Sequence, residues 1–359
     1  MLQLSGITKR FRSETVLRGI DLAVDDGETV VIFGPSGSGK TVLLRVIAGV
    51  EDPNEGAVLI DGRDMVDAAP EARGIGMAFQ NFALFPHMSA FENIASPLKA
   101  RRSAADKVTA GVQSVARLLK IDHVLDHAPR ELSNGQKQRT ALARALAPAP
   151  RILLLDDPLR NVDAKLRYEM RLELPRLLAE FRSTALYVTQ DYKEAMALGS
   201  RIAVLIDGRF VQVASPEDIY LRPASLDVAR LFGDPTICAI PSAIEPGPAI
   251  GLLGGRFALD PRFAAFVGRE VTVGLRPEDI AVSMAPVPDA VPVDLVTVTP
   301  LNERDVMLLN GNGGEEFFAS APEARGTGAR SHGPAFARFD TAAMHLFDRA
   351  TGARLEVAA

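Results

Sequence analysis

The sequence predicts an α/β chain, a mostly parallel sheet covered by helices on both faces, followed by a small all-β domain. Three observations carry this expectation. Apolar runs of strand length alternate with segments of helical period up to about residue 235. A glycine-rich loop joins one such strand to the next helix. Beyond Pro235, short β-rich runs between Pro and Gly clusters replace the helical periods.

In chain order, the β-branched run Thr29 to Phe33 reads as a strand, Gly34 to Thr41 (GPSGSGKT) as a loop, and VLLRVIAG as a helix stopped at Gly49. From Ser103 to Lys120, the apolar Val108, Val112, Val115, Leu118 and Leu119 recur at steps of three and four. That spacing predicts an amphipathic helix within a helical insert of about residues 86–150. Ile152 to Leu155, ending at Asp156, has the unbroken hydrophobicity of a strand buried on both faces. A helix follows, with Leu166, Met170, Leu174, Leu177, Leu178 and Phe181 on one side and a kink at Pro175, and then a strand over Ala185 to Thr189. RIAVLI and RFVQVA flank Asp207-Gly208, a hairpin signal. After a boundary near residue 235, VTVGL and VDLVTVT stand among PSAIEPGPAIG and APVPDAVP, the texture of a β-barrel-like domain.

Composition narrows the class. The 359 residues are 47% hydrophobic and 24% charged, with one Cys and no Trp, which fits two or three globular domains and excludes disordered and fibrous chains. A formal charge of -5 supplies no global attraction to nucleic acid or anionic lipid, although a local basic patch stays open. Cys238 is alone and cannot form an intramolecular disulfide, in keeping with a reducing compartment. No stretch approaches the roughly 18 apolar residues of a membrane span, and MLQLSGITKR lacks the apolar core of a secretory signal. A soluble, cytoplasmic protein is expected.

The loop Gly34, Pro35, Ser36, Gly37, Ser38, Gly39, Lys40 and Thr41 satisfies GxxxxGK[ST]. Its glycines let backbone N–H groups approach phosphate oxygens, Lys40 brings charge to the β and γ phosphates, and Thr41 offers a hydroxyl to Mg²⁺. The helix that begins near Lys40 adds its positive end. RILLLDD then ends a buried strand in Asp156, a carboxylate held at a fixed distance from the loop, as Mg²⁺ coordination requires.

Together these residues resemble a known family, the ATP-binding cassette (ABC) transporter ATPases, and within it the maltose and glycerol-3-phosphate type importer subunits. The likeness covers nearly the whole chain. It is carried by MAFQNFALFPHMS with Gln80 at the Q-loop place, LSNGQKQR at the signature place, and LLLDDPL at Walker B. NVDAKLR at the D-loop, YVTQDYKEA at the switch, and GLRPEDI and HLFDRATG in the tail complete it. The resemblance implies a P-loop, RecA-like ATPase domain over residues 1–235 and an OB-type regulatory domain over residues 236–359. It implies ATP and Mg²⁺ as cofactors, with Thr41, Gln80 and Asp156 as metal contacts. It implies a head-to-tail pair with a second ATPase subunit, homo- or heterodimeric, in which each ATP meets one subunit's phosphate loop and the other's signature, here Ser133, Asn134, Gly135 and Gln136. Two membrane permease subunits, an external solute-binding protein acting through them, a carbohydrate-like polar solute and the cytoplasmic face of the inner membrane follow, with no nucleic acid.

Several positions carry two readings. Phe11 lies where the family stacks an aromatic on adenine, and as a lone Phe it reads equally as core. Gln80 contacts Mg²⁺ or the attacking water by resemblance, and is otherwise a solvated loop residue. Ser133 and Gln136 form a capping box whether or not a helix N-terminus also attracts phosphate. NFALFPHMSAFENI is core of the helical insert or, by resemblance, a socket for a permease helix made by Phe82, Leu84, Phe85, Pro86 and Met88.

Three departures from the family pattern bear on mechanism. Asp157 replaces the Glu that follows the Walker B Asp, with the same chemistry and one methylene less reach. Gln190 replaces the switch His; it hydrogen-bonds phosphate and carries neither proton nor positive charge. His87, His123, His127, His332 and His345 occupy no place that realigns with it. Asn134 replaces a signature Gly, adding a side chain near the phosphate approach, although Asn tolerates left-handed backbone. The expectation is intact ATP binding with attenuated hydrolysis. The alternative is a largely non-hydrolysing partner in an asymmetric heterodimer, which keeps one competent site.

Overall fold

The computed structural model describes residues 1–181, 183–301, 304–322 and 332–356. The chain divides into two compact units, Met1–Ile219 and Tyr220–Ala359.

The first unit opens with β1 (Leu2–Phe11), β2 (Glu14–Val24) and β3 (Thr29–Phe33), and the loop after β3 enters α1 (Lys40–Ala48). Next come β4 (Glu55–Ile60), β5 (Arg63–Asp64) and β6 (Ile75–Ala78), then α2 (Ala90–Ala100), α3 (Ala105–Leu118) and α4 (Asn134–Leu146). The chain returns through β7 (Ile152–Asp156), α5 (Ala164–Phe181), β8 (Thr184–Thr189), α6 (Tyr192–Leu198), β9 (Arg201–Ile206) and β10 (Arg209–Ala214).

A six-stranded sheet runs β10-β9-β3-β8-β7-β6, parallel except for β10. Every residue of β7 and β8 is buried, as unbroken apolar runs require of strands covered on both faces. β2, β1, β4 and β5 make a second, antiparallel sheet. Leu2, Leu4 and Leu22 from that sheet join Val30 and Ile32 of β3 and Leu43 and Ile47 of α1 in one core. The helix after the loop is thus fastened to both sheets, and the loop with it.

α2, α3 and α4 pack on one another within the 86–150 segment, and Val108, Val112, Val115 and Leu119 turn inward as the spacing predicts. Ser89 and Glu92 close a capping box on α2. Asn93 is fully buried; its amide donates to the carbonyls of Phe85, Met88 and Ser89, and its oxygen accepts from the Phe85 amide. Met170, Leu174, Leu177 and Leu178 of α5 are buried, and Pro175 lies inside that helix. The Leu166 side chain falls outside the described residues. The β9–β10 hairpin turns at Asp207 (φ 47°) and Gly208 (φ 75°), the left-handed pair of a tight hairpin. A Cβ on Gly208 would lie 2.2 Å from the Val16 carbonyl oxygen.

α7 (Pro216–Leu221) spans the division, and α8 (Leu226–Leu231) belongs to the second unit. The division lies upstream of the texture change near residue 235 for a packing reason. Ala229 and Ile237 share a buried cluster with Phe347, and the Arg276 guanidinium donates to the carbonyls of Phe232 (2.7 Å) and Tyr220 (2.6 Å). Ten antiparallel strands follow among the described residues: β11 (Cys238–Glu245), β12 (Ala249–Leu252), β13 (Gly255–Ala258), β14 (Glu270–Leu275), β15 (Ile280–Ser283), β16 (Ala290–Leu301), β17 (Arg304–Gly311), β18 (Glu316–Pro322), β19 (Gly333–Phe339) and β20 (His345–Asp348). They form two sheets, β13-β12-β11-β14-β20 and β15-β19-β16-β17-β18, around a core that includes Val271, Leu275, Leu309, Phe317 and Phe339. The all-β expectation for the tail holds.

Candidate active site

The loop between β3 and α1 is shaped by two close approaches. A Cβ on Gly34 would sit 2.1 Å from the Leu205 carbonyl oxygen. Gly39 holds φ 102°, and its Cβ would sit 2.9 Å from Leu17 Cδ2 and 3.1 Å from the Val16 carbonyl oxygen. Only glycine meets both demands. Gly39 also stands at the N-cap of α1, so the unpaired amides of the first helical turn open into the hollow of the loop.

Charged groups gather around that hollow. Lys40 is buried, and its Nζ donates to the carbonyls of Gly34 (2.8 Å) and Pro35 (2.7 Å). Burial pushes its ammonium below the usual lysine range, and the Asp157 and Asp156 carboxylates oppose that shift. Thr41 Oγ1 donates to Asp156 Oδ1 at 3.0 Å. Burial raises both Asp156 and Asp157 above the ordinary carboxylate range; the Thr41 hydrogen bond counters this at Asp156, and the Arg160 guanidinium counters it at Asp157. Arg160 Nη1 lies 3.6 Å from Asp157 Oδ2. Asp157 has left-handed backbone, φ 45°, while its amide donates to the Val188 carbonyl at 2.9 Å. A non-glycine residue held there is the kind of local strain found at functional sites.

Gln190 follows β8, and its Oε1 accepts from Ser36 Oγ at 3.0 Å, tying the switch to the phosphate loop. Behind it, the buried Glu194 accepts from Tyr187 Oη and Thr189 Oγ1, both at 2.8 Å. The resulting cavity of about 190 Å³ is lined by Gly37, Gly39, Lys40, Thr41, Gln80, Asp156, Asp157 and Gln190, with Val16, Val42 and Val188. It has the size and polarity for phosphate groups.

The structure separates other expected residues from this cavity. Phe11 ends β1, is 41% exposed, carries the Lys9 ammonium 4.8 Å from its ring centroid, and does not line the cavity. Ser133 caps α4 in a reciprocal box with Gln136, whose amide donates to Ser133 Oγ at 3.3 Å and whose Oε1 accepts from Ser133 N at 2.9 Å. Asn134 is the first residue of that helix, so its tolerance of left-handed backbone is not used; a helix start needs right-handed φ. Asn134 and Gly135 stand beside it, away from the cavity.

A second, apolar groove of about 580 Å³ is lined by Met77, Phe79, Ala83, Phe85, Pro97 and Arg144, among others. Of the five expected socket residues only Phe85 lines it. Phe82 and Leu84 are half-buried, and the groove is completed instead by β6, α2 and α4. Sequence reading also missed Val16, for which no motif exists, Arg160 beside Asp157, and Asn161, whose Nδ2 donates to the Gln80 carbonyl at 3.0 Å. The last two stand beside or within the quoted NVDAKLR stretch and were legible there.

Comparison with known proteins agrees with this geometry. The family described as ABC transporter matches residues 17–160. The sn-glycerol-3-phosphate import ATP-binding protein of Yersinia pseudotuberculosis is 39% identical over 361 residues, 99% of each chain. The protein of the same name from Escherichia coli O157:H7 is 39% identical over 359 residues, again 99% of each. Among solved structures, a dimeric ATP-binding cassette in a post-hydrolysis state with ADP and Pi superposes with a TM-score of 0.56 at 33% identity, covering 60% of this chain and 99% of that one. A dimeric bacterial ABC transporter cassette matches with the same TM-score at 32% identity. With Lys40, Thr41, Asp156, Asp157 and Gln190 on one cavity, and this identity along its length, the chain belongs to the ABC transporter family and is an ABC-type ATPase.

Proposed function

We propose that the chain is the nucleotide-binding subunit that powers an importer of glycerol-3-phosphate, carbohydrate or a related polar solute. It works beside a second cassette and two permease subunits at the cytoplasmic face of the inner membrane, fed by an external solute-binding protein. The observation that carries the reading is the convergence of Lys40, Thr41, Asp156, Asp157, Gln80 and Gln190 on one cavity. The names of the full-length relatives support the solute class, and the dimeric cassettes support the pairing.

The chain's residues divide the work. Amides of the loop and of the first turn of α1 take the phosphate oxygens, and Lys40 exchanges its two loop carbonyls for them. Thr41 Oγ1 and Asp156 Oδ1, already 3.0 Å apart, with Gln80 on the same cavity, are the hard oxygen donors that Mg²⁺ takes alongside phosphate, and the ion would neutralise phosphate charge. Asp157 accepts the proton of the attacking water, and Gln190 offers its amide to the γ-phosphate. Ser133 to Gln136 present a helix N-terminus to the nucleotide of the second cassette, and the apolar groove beside Phe85 receives a permease helix.

Hydrolysis is attenuated in this reading, because Asp157 is one methylene short and Gln190 carries no proton. Outright loss of a base costs about a hundred- to ten-thousandfold, and a shortened one less. A second reading, a largely non-hydrolysing partner in a heterodimer, is favoured by the Ser36–Gln190 hydrogen bond, which occupies the switch carbonyl on the loop itself. Reconstitution with the permeases tests both. ATP-dependent solute uptake with this chain in both cassette positions supports the first reading, uptake only with a consensus cassette as partner supports the second, and no uptake in either case overturns the importer assignment.

A further inference from the structure

Gln80 reaches the phosphate cavity at the end of a segment with unusual backbone. Phe82 and Ala83, two and three residues on, are both left-handed, with φ 58° and 47°. Neither is Gly or Asn, so the surroundings must impose the conformation. The Phe82 and Ala83 amides are held by the carbonyls of Phe79 (3.1 Å) and Asn81 (2.5 Å), and their own carbonyls by one side chain from α4. Arg144 donates from Nη1 to the Ala83 carbonyl at 2.7 Å and from Nη2 to the Phe82 carbonyl at 3.0 Å, and its guanidinium lies 5.5 Å from the Phe85 ring centroid. The planar fork matches two adjacent carbonyls in a way that a point-like ammonium does not. On the other side, the Gln80 carbonyl is held by Asn161, a few residues past Asp157. Gln80 is therefore suspended between a clamp on its downstream turn and a tie to the loop after Walker B.

We propose that Arg144 is the positioning residue for Gln80: by holding the Phe82 and Ala83 carbonyls in a left-handed turn, it sets where the Gln80 side chain stands over the phosphates. The proposal rests on the cavity being the nucleotide site. It assigns Arg144 a role in rate and none in affinity for ATP without Mg²⁺, because Arg144 does not line the cavity and Gln80 acts through the metal and the attacking water.

The test uses the full-length protein, with single-turnover hydrolysis of Mg-ATP and equilibrium titration of ATP in the absence of Mg²⁺ side by side. Arg144→Ala is expected to slow hydrolysis roughly ten- to a hundredfold, the scale of a misplaced contact, with ATP affinity unchanged. Arg144→Lys is expected to be as slow as Arg144→Ala. Adding Ala83→Gly to Arg144→Ala is expected to restore most of the rate, since glycine adopts left-handed backbone without the clamp; a role in stability alone would instead shift the unfolding midpoint and leave the rate of the folded fraction unchanged. Should Arg144→Ala not fold, Ala83→Val reads the same joint with the clamp intact, and a β-branched side chain strained there slows hydrolysis in the same way. A double variant as slow as Arg144→Ala, rescue by lysine, a parallel fall in ATP affinity, or Ala83→Val at the wild-type rate overturns the proposal. Wild-type protein that binds no ATP overturns the nucleotide reading instead.

Discussion

In the first unit the buried ionisable side chains Lys40, Asp156 and Asp157 border a cavity, whereas in the second unit the Arg276 guanidinium and the His345 ring are enclosed by their own fold. Arg276 is 3% exposed, donates to two backbone carbonyls and lies 3.5 Å from the Tyr220 ring centroid. Desolvation disfavours the charged form at all five residues. The difference is what offsets it. At Arg276 the compensating carbonyls arrive with folding, so removing the charge registers as lost stability, and burial holds His345 neutral. Around Gly34–Thr41, under the proposed function, the set is completed by a ligand, so removal registers as lost affinity or rate.

The largest expected effect tests the cavity side. Lys40→Met removes two charged hydrogen-bond donors worth about 1.5–3 kcal/mol each, so ATP affinity in an equilibrium titration falls by two or more orders of magnitude. Affinity that survives this change would place the nucleotide elsewhere. Next, Asp157→Glu combined with Gln190→His restores reach and a titratable switch, and single-turnover hydrolysis rises roughly ten- to a hundredfold at unchanged ATP affinity. Equal rates in variant and parent would remove the basis for attenuation. On the enclosed side, Arg276→Leu strands two carbonyls and costs the second unit about 3 kcal/mol, visible in denaturant unfolding, while the ATP titration curve stays where it was. A weakened ATP affinity would mean that the two kinds of buried charge are not independent.

A further effect on the enclosed side concerns pH. Burial, reinforced by the Arg276 and Arg354 guanidiniums, lowers His345 from 6.5 to about 4. Its folded pKa is depressed, so its contribution is fully present above the unfolded value and is lost as pH falls from 6.5 toward 4. Acidification to about pH 5 then costs about 2 kcal/mol through this one group. Unfolding curves of His345→Leu, compared with wild type at neutral and mildly acid pH, should lose that slope. An unchanged slope would take His345 out of the comparison.

The same contrast explains what was legible in the sequence. β3, β7 and β8 are continuous apolar runs because both faces are covered, and a run of that kind is visible without knowing its neighbours. The candidate site was legible in part for a related reason: Gly34 to Thr41 is a chemical requirement fixed to a short spacing and Asp156 ends an apolar run, whereas Asp157 and Gln190 were reached through the family resemblance. Pairings such as β15 with β19 or β14 with β20 join residues far apart in sequence and leave no local mark, so the tail read as β without revealing two five-stranded sheets. Arg144 escaped for another reason. Its task is to hold two carbonyls in an unfavourable conformation, and neither partner shows in a side-chain pattern.

The Val16 carbonyl oxygen is approached from two sides by glycines remote in sequence, Gly39 in the phosphate loop and Gly208 at the tip of the β9–β10 hairpin. The Gly208 carbonyl also accepts from the Arg18 amide at 2.9 Å, so the hairpin tip and β2 are fastened to each other. A surface turn outside every nucleotide motif thereby inherits the intolerance of the motif itself. A side chain introduced at Gly208 would press on the same carbonyl oxygen that crowds Gly39, so the wall of the cavity is gauged in part by a bend that does not line it.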